Sequence, residues 1–111
     1  MTSVRYPVVE FRQYTLHPGR RDDLIGLFER ELIEPQEAAG MALVGQFRDA
    51  DNPDRFVWFS RFTDPAGLSA HRDALAHCRH WHTTVRPALL AMLTGEPQQL
   101  TLAPTPRSLL R

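Results

Sequence analysis

The segment Arg55–Phe62 predicts a β-strand that carries apolar side chains on both of its faces. Val57 and Phe59 point to one face, because successive strand residues alternate. Trp58 and Phe62 point to the other face. A sheet built around such a strand needs a covering layer on each side, since an exposed aromatic face is larger than a monomer usually tolerates.

Four strand-like runs alternate with two helical patterns along the chain. The strands are predicted at Val8–Leu16, Met41–Arg48, Arg55–Phe62 and Gln98–Ala103. The first helix is predicted from Asp22 to near Gly40, where apolar residues recur at steps of three and four. Because Pro35 lacks an N–H, this helix should kink or restart at about Glu34.

The second helical pattern begins at Asp64 and Pro65, which suit the N-cap and the first helical position. It continues toward Trp81 as one amphipathic helix. Pro87 then restarts a last helical segment over Ala88–Leu93. The chain thus contains two helical regions, each followed by a strand.

This order of strand, helix, strand, strand, helix, strand predicts an α+β, ferredoxin-like βαββαβ fold in which both helices lie on one face of an antiparallel sheet. The other face is then bare, so we expect a homodimer in which two sheets face each other as a dimeric α/β barrel. One domain should span residues 1–103, and residues 104–111 should form an irregular tail.

Composition excludes several classes of partner. Thirteen Lys and Arg balance thirteen Asp and Glu, so we expect no nucleic-acid partner. No apolar run approaches the roughly 20 residues that span a bilayer, and no apolar segment follows the first residues. We therefore expect no membrane partner and a cytoplasmic location. Cys78 is the only cysteine, so no disulfide can form within the chain.

The first strand and the hairpin carry a family resemblance. The matching residues are Val9–Leu16, Pro18-Gly19, Gly40, Gly45–Phe47, Arg55–Phe59 and Phe62. They resemble NIPSNAP-like proteins over about the first two-thirds of the chain, with Trp58 at the position of the family's strand-three tryptophan. The resemblance implies the dimeric α/β-barrel fold shared with cofactor-independent antibiotic-biosynthesis monooxygenases. It does not define a catalytic motif, and no cofactor is implied.

The segment Ala76–His82 departs from the family pattern and keeps only its tryptophan, Trp81. Specialised chemistry is therefore expected near it. On one continuous helix, His71, Cys78 and His82 would share the stripe that faces the sheet. A neutral imidazole in such a place can transfer protons near pH 7, so His71 and His82 are the predicted catalytic residues. The alternative for each is a core histidine satisfied by a hydrogen bond.

Two further groups of this segment have plainer interpretations. His77 and His80, three residues apart, could reach one ion, but no third ligand is apparent, so we predict no metal site. They fit a solvated helix end. Cys78 could be a nucleophile, although a buried lone cysteine usually acts as a small hydrophobic residue.

The predicted substrate-binding residues are Glu10, Arg12 and Tyr14 on one face of the first strand, with Trp58 and Trp81 as apolar walls. Arg12 suits a carboxylate or enolate, and Tyr14 can donate a hydrogen bond to it. Charged groups buried on this face must be paired or must meet a ligand.

Two functions remain open from the sequence. One is a NIPSNAP-like dimer with a hydrophobic pocket, acting as a cofactor-independent monooxygenase, cyclase or isomerase on a small aromatic or polyketide-like molecule. The other is a non-catalytic ligand-binding or protein-interaction module, whose strand-one charges pair with neighbours such as Arg61 or with the partner subunit. An enclosed cavity of about 300 Å³ or more with His71, His82 or Tyr14 exposed inside it favours the enzyme, and a solid core favours the module.

Overall fold

The computed structural model of the chain describes residues 7–109. Residues 1–6 and 110–111, which include the start of the predicted domain and the end of the predicted tail, lie outside it. The strands are β1 (Val8–Thr15), β2 (Ala42–Arg48), β3 (Arg55–Phe62) and β4 (Gln98–Leu102). They form one antiparallel sheet in the order β2-β3-β1-β4, which confirms the α+β, ferredoxin-like fold class.

The first helical region consists of α1 (Arg21–Leu27), a π-helical turn (Phe28–Leu32) and α2 (Ile33–Ala38). Pro35 cannot donate a backbone hydrogen bond, and its ring crowds the turn before it. The chain widens in that preceding turn, where the Ile33 N–H donates to the carbonyl of Phe28, five residues back. The helix therefore restarts at Ile33, one residue before the predicted irregularity at Glu34.

The second helical region is interrupted, and the prediction of one continuous helix toward Trp81 is wrong. Helix α3 (Pro65–Ala76) ends where the N–H of Cys78 donates to the carbonyl of Leu75 in a tight turn, 3.0 Å apart. A π-helical turn (Trp81–Val85) and α4 (Arg86–Met92) follow. His71 and His82 consequently do not share one helical stripe. Within residues 7–109, no helix has the length and apolar character needed to cross a membrane.

The hydrophobic core lies between the helices and one face of the sheet. The ring of Phe28 sits 5.3 Å from that of Phe56 and 5.2 Å from that of Trp58, centroid to centroid. These ring contacts pack the π-helical turn against β3. Burial of each large aromatic side chain contributes about 2–3 kcal/mol, so this contact fixes the first helical region on the sheet.

The opposite face of the sheet is largely apolar, and within residues 7–109 its side chains on the β2 and β4 edges are exposed, whereas Val9 on β1 is buried. The register of β1 and β3 pairs Phe11 with Phe59, whose rings lie 5.3 Å apart. Phe47 extends this layer on β2, and Leu100 extends it on β4. Both of these side chains are more than half exposed. We call Phe11, Val57, Phe59, Phe47, Leu100 and Leu102 the uncovered face.

The N-cap of α3 provides a test of the fold. The Asp64 carboxylate accepts a hydrogen bond from the N–H of Gly67 at 2.7 Å, and Pro65 occupies the first helical turn. Asp64→Ala should lower the free energy of unfolding by about 1 kcal/mol, because the Gly67 N–H loses its carboxylate acceptor and keeps only the backbone carbonyl of residue 64, at 3.1 Å. Chemical denaturation measures this change. Asp73→Ala, which removes an exposed acid near the other end of α3, should leave stability equal or slightly higher, and an equal loss in both variants would contradict the assignment.

Candidate functional site

A cavity of about 460 Å³ lies between the helix-covered face of the sheet and the second helical region. It opens to solvent on one side. Six predicted site residues line it: Arg12, Tyr14, Trp58, His71, Trp81 and His82. The chain therefore brings strand-one, strand-three and helix residues to one place, although they are up to 70 positions apart in the sequence (12 to 82).

Glu10 is the exception among the predicted site residues, because it lies behind the cavity wall with 0% of its surface exposed. Its carboxylate accepts hydrogen bonds from Arg12 Nε at 2.6 Å, Gln99 Nε2 at 3.0 Å and Arg72 Nη2 at 3.5 Å. Arg61, which the sequence suggested as an ion-pair partner, lies on the uncovered face opposite Val9. Glu10 thus holds cavity residues rather than contacting a ligand.

Arg12 is fixed at the cavity wall by two contacts. Its Nε donates to Glu10, and its guanidinium carbon lies 5.6 Å from the centre of the Trp58 ring. A guanidinium held over an aromatic ring gains a cation–π attraction and loses little further freedom when a ligand binds. Arg12 is therefore preorganised to bind an anionic group.

Tyr14 is buried at the inner wall of the cavity, against the aromatic core. Burial raises the pKa of Tyr14, whereas the positive charge of Arg12 opposes the rise. Its hydroxyl is protonated at neutral pH and can donate a hydrogen bond.

His71 is the most unusual group in the cavity. Only 2% of its surface is exposed, its ring packs against Phe62 at 5.5 Å, and its Nε2 is buried with no hydrogen-bond partner among the described residues. Burial lowers the pKa of His71, as do the charges of Arg12 and Arg72, against an opposing effect of Glu10. The imidazole is therefore neutral at pH 7.

His82 lines the same cavity but is exposed, and its role differs. Its Nε2 lies 2.6 Å from the carbonyl oxygen of Ala76, the last residue of α3. The Nε2–H therefore donates to a carbonyl that the end of the helix leaves without a backbone partner. This hydrogen bond makes His82 a cap for α3.

The remaining histidines of the segment are engaged outside the cavity. His77 Nδ1 lies 2.8 Å from the carbonyl of Asp73, and His80 Nε2 lies 3.1 Å from the carboxylate of Glu31. Glu31 comes from the first helical region, so its contact with His80 could not be seen from the local sequence. Within residues 7–109, no three His, Cys, Asp or Glu side chains converge on a metal position. Cys78 is half-buried.

Comparison with known proteins gives a family. The model of the NIPSNAP family matches residues 9–109. The chain belongs to the NIPSNAP family. No curated protein sequence matches it significantly.

Known structures similar to this NIPSNAP chain include an uncharacterized NIPSNAP-like domain protein from Burkholderia xenovorans. It is 27% identical, with a TM-score of 0.81 over 91% of this chain and 87% of its own. A NIPSNAP family protein of unknown function from Agrobacterium tumefaciens is 23% identical, with a TM-score of 0.83 over 94% and 93% of the two chains. An antibiotic biosynthesis monooxygenase is also 23% identical, with a TM-score of 0.68 over 89% and 99%. The last two likenesses concern the fold alone.

Sequence reasoning missed five polar residues that line the cavity of this NIPSNAP protein: Gln36, Arg72, Arg86, Glu96 and Gln99. Gln36 stands four residues after Leu32 and eight after Phe28, on the buried stripe of the first helical region, so its position in that pattern could have revealed it. Arg72, the second cation on Glu10, is exposed and carries no local signal. Its contact depends on where α3 crosses β1.

The neutral state of buried His71 predicts a pH dependence of stability. An unfolded histidine takes up a proton near pH 6.5, whereas the folded chain resists protonation of His71 because its pKa is lower. The unfolded state then binds more protons, so the free energy of unfolding falls as the pH drops below about 6.5. In His71→Gln, denaturation between pH 7.5 and 5 should show a shallower loss. A loss identical to that of the wild type would contradict a depressed pKa.

Proposed function

We propose that this NIPSNAP protein is a dimeric, cofactor-independent enzyme that uses the cavity for a proton-transfer step on a small aromatic or polyketide-like molecule. A monooxygenase, a cyclase and an isomerase of this kind share one step, the removal of a proton from an acidic C–H or O–H group of the substrate. The similarity to an antibiotic biosynthesis monooxygenase supports a fold that is compatible with such chemistry. It does not identify the reaction of this chain.

The observation that carries the proposal is the His71 imidazole, which borders the cavity while its Nε2 is buried without a hydrogen-bond partner among the described residues. A buried polar atom without a partner costs about 1–3 kcal/mol, so the retention of a histidine at this position favours a role toward a bound molecule. His71 is also neutral at pH 7, the state that a general base requires. His82 is a weaker candidate, since its Nε2–H is committed to Ala76.

The surrounding groups fit this step chemically. Proton removal leaves an electron pair on the substrate as an enolate or phenolate, while the proton passes to the imidazole of His71. Arg12 offers a fixed positive charge to that anion, and the Tyr14 hydroxyl can donate to its oxygen. Trp58 and Trp81 supply aromatic surface for a planar ring. The cavity of about 460 Å³ has room for such a molecule, which a solid core would not have, although it is open on one side rather than enclosed.

Deuterium uptake tests the proton-transfer role without knowledge of the substrate. 2-Tetralone, a bicyclic ketone with an acidic C–H group, serves as the probe in D₂O, with NMR as the readout. The wild type should accelerate exchange over buffer, and His71→Gln should reduce that acceleration about 100-fold or more, because general base catalysis is typically worth 10²–10⁴-fold. His80→Gln is the matched control, since His80 contacts the carboxylate of Glu31 outside the cavity. This variant should accelerate exchange of the probe as the wild type does.

Two results would count against the enzyme. Exchange that is unchanged in folded His71→Gln would remove His71 from the step. Binding of 2-tetralone by the wild type with no exchange above buffer would favour the non-catalytic ligand-binding module.

We propose further that a second copy of the chain covers the uncovered face. The rings of Phe11, Phe47 and Phe59 form a continuous apolar layer there, with Leu100 beside it. An antiparallel sheet with one covered and one bare apolar face gains stability when two such faces meet. A twofold pair of identical faces closes the assembly at two subunits.

A charge on the uncovered face should abolish the dimer. Light scattering at micromolar concentration should give twice the chain mass of 12.7 kDa for the wild type. In Phe59→Glu it should give the monomer mass or loss of folding by circular dichroism, because a buried unpaired charge costs several kcal/mol. Ala74→Glu, on the exposed side of α3, should remain dimeric. A wild type that is monomeric at this concentration contradicts the proposal.

A further inference from the structure

Gln36 is a buried polar residue for which neither the fold nor the proton-transfer step accounts. It lies in α2 with only 3% of its surface exposed, and it lines the cavity together with its neighbour Leu32. Glutamine is rarely buried to this degree, and a buried amide is normally hydrogen-bonded through both of its ends.

One end of the Gln36 amide is fixed. Its Nε2 donates to the backbone carbonyl of Leu32 at 3.1 Å. Only the nitrogen of the amide can donate to a carbonyl, so this contact settles which way the amide points. The turn before Pro35 is π-helical, and the side chain of Gln36 adds a donor to a carbonyl of that turn.

The other end of the amide is free. The side-chain oxygen accepts no hydrogen bond from the residues that the structure describes, yet the residue borders the cavity. Because the nitrogen donates to Leu32, the oxygen is the end of the amide that is left to accept a hydrogen bond. The cavity therefore has a hydrogen-bond acceptor on the wall built by the first helical region.

We infer that Gln36 is a specificity-determining residue that selects ligands bearing, besides their anionic group, a hydroxyl or N–H donor such as a phenol. The inference rests on the proposed function, because it deepens the substrate class of the same cavity. A site built to bond a donor discriminates against an analogue that lacks it, since the acceptor that the bound ligand shields from water then stays unpaired. Arg12 holds the anionic group, so the ligand class is a hydroxylated aromatic acid or enol.

Three naphthoates test this assignment by calorimetric titration of the full chain. 6-Hydroxy-2-naphthoate carries the donor, 6-methoxy-2-naphthoate blocks it, and 2-naphthoate lacks it, while all three keep the carboxylate for Arg12. The wild type should bind the hydroxyl compound about fivefold more tightly than either analogue, because one hydrogen bond contributes about 1 kcal/mol.

Gln36→Met should lose this preference while it retains binding of 2-naphthoate within about twofold, since Met has a similar volume and no acceptor of comparable strength. Gln46→Met is the matched control, because Gln46 is half-buried on β2 outside the cavity lining, and it should keep the fivefold preference. The wild-type preference does not depend on whether either variant folds.

The outcomes separate the two proposals. Equal affinity of the wild type for all three naphthoates, or a preference that survives in Gln36→Met, overturns the role of Gln36 and leaves the ligand cavity standing. Absence of binding for all three compounds overturns both the aromatic-acid ligand class and the role of Gln36.

Discussion

The buried carboxylate of Glu10 is the interaction on which the site depends. It lies at the centre of the sheet with no exposed surface, where an uncompensated charge would cost several kcal/mol. Arg12 from β1, Arg72 from α3 and Gln99 from β4 all donate to it. This one group therefore ties a helix and two strands together, and it fixes the guanidinium of Arg12 at the cavity wall.

The second constraint is a sheet that is apolar on both faces. On one face, the helices cover Phe56 and Trp58. The interrupted helices do not fill all of the space on this face, and the cavity lies there. On the other face, Phe11 and Phe59 form a layer that a second copy is proposed to cover. The two faces thus divide the proposed functions, with ligand binding under the helices and association on the uncovered face.

The strands could be predicted from the sequence, because the alternation of side chains in β3 and the turn residues between β2 and β3 are local signals. It was insufficient for the second helical region, since no proline marks the break after Ala76 and only hydrogen bonds such as His82 to Ala76 reveal it. The cavity residues of β1 and β3 followed from strand periodicity. The contact of Arg72 with Glu10 could not be predicted, because it depends on where α3 crosses the sheet and residue spacing does not determine that position.

His71 is proposed to be a neutral imidazole at the wall of a ligand cavity. NMR observation of the His71 ring, assigned with His71→Gln, tests this directly during a pH titration with and without 2-naphthoate. We expect a pKa for His71 below the ordinary value of about 6.5 and a shift of its ring resonances when the naphthoate binds. A ring that titrates at 6.5 or above, and whose resonances do not respond to bound naphthoate, would contradict the account.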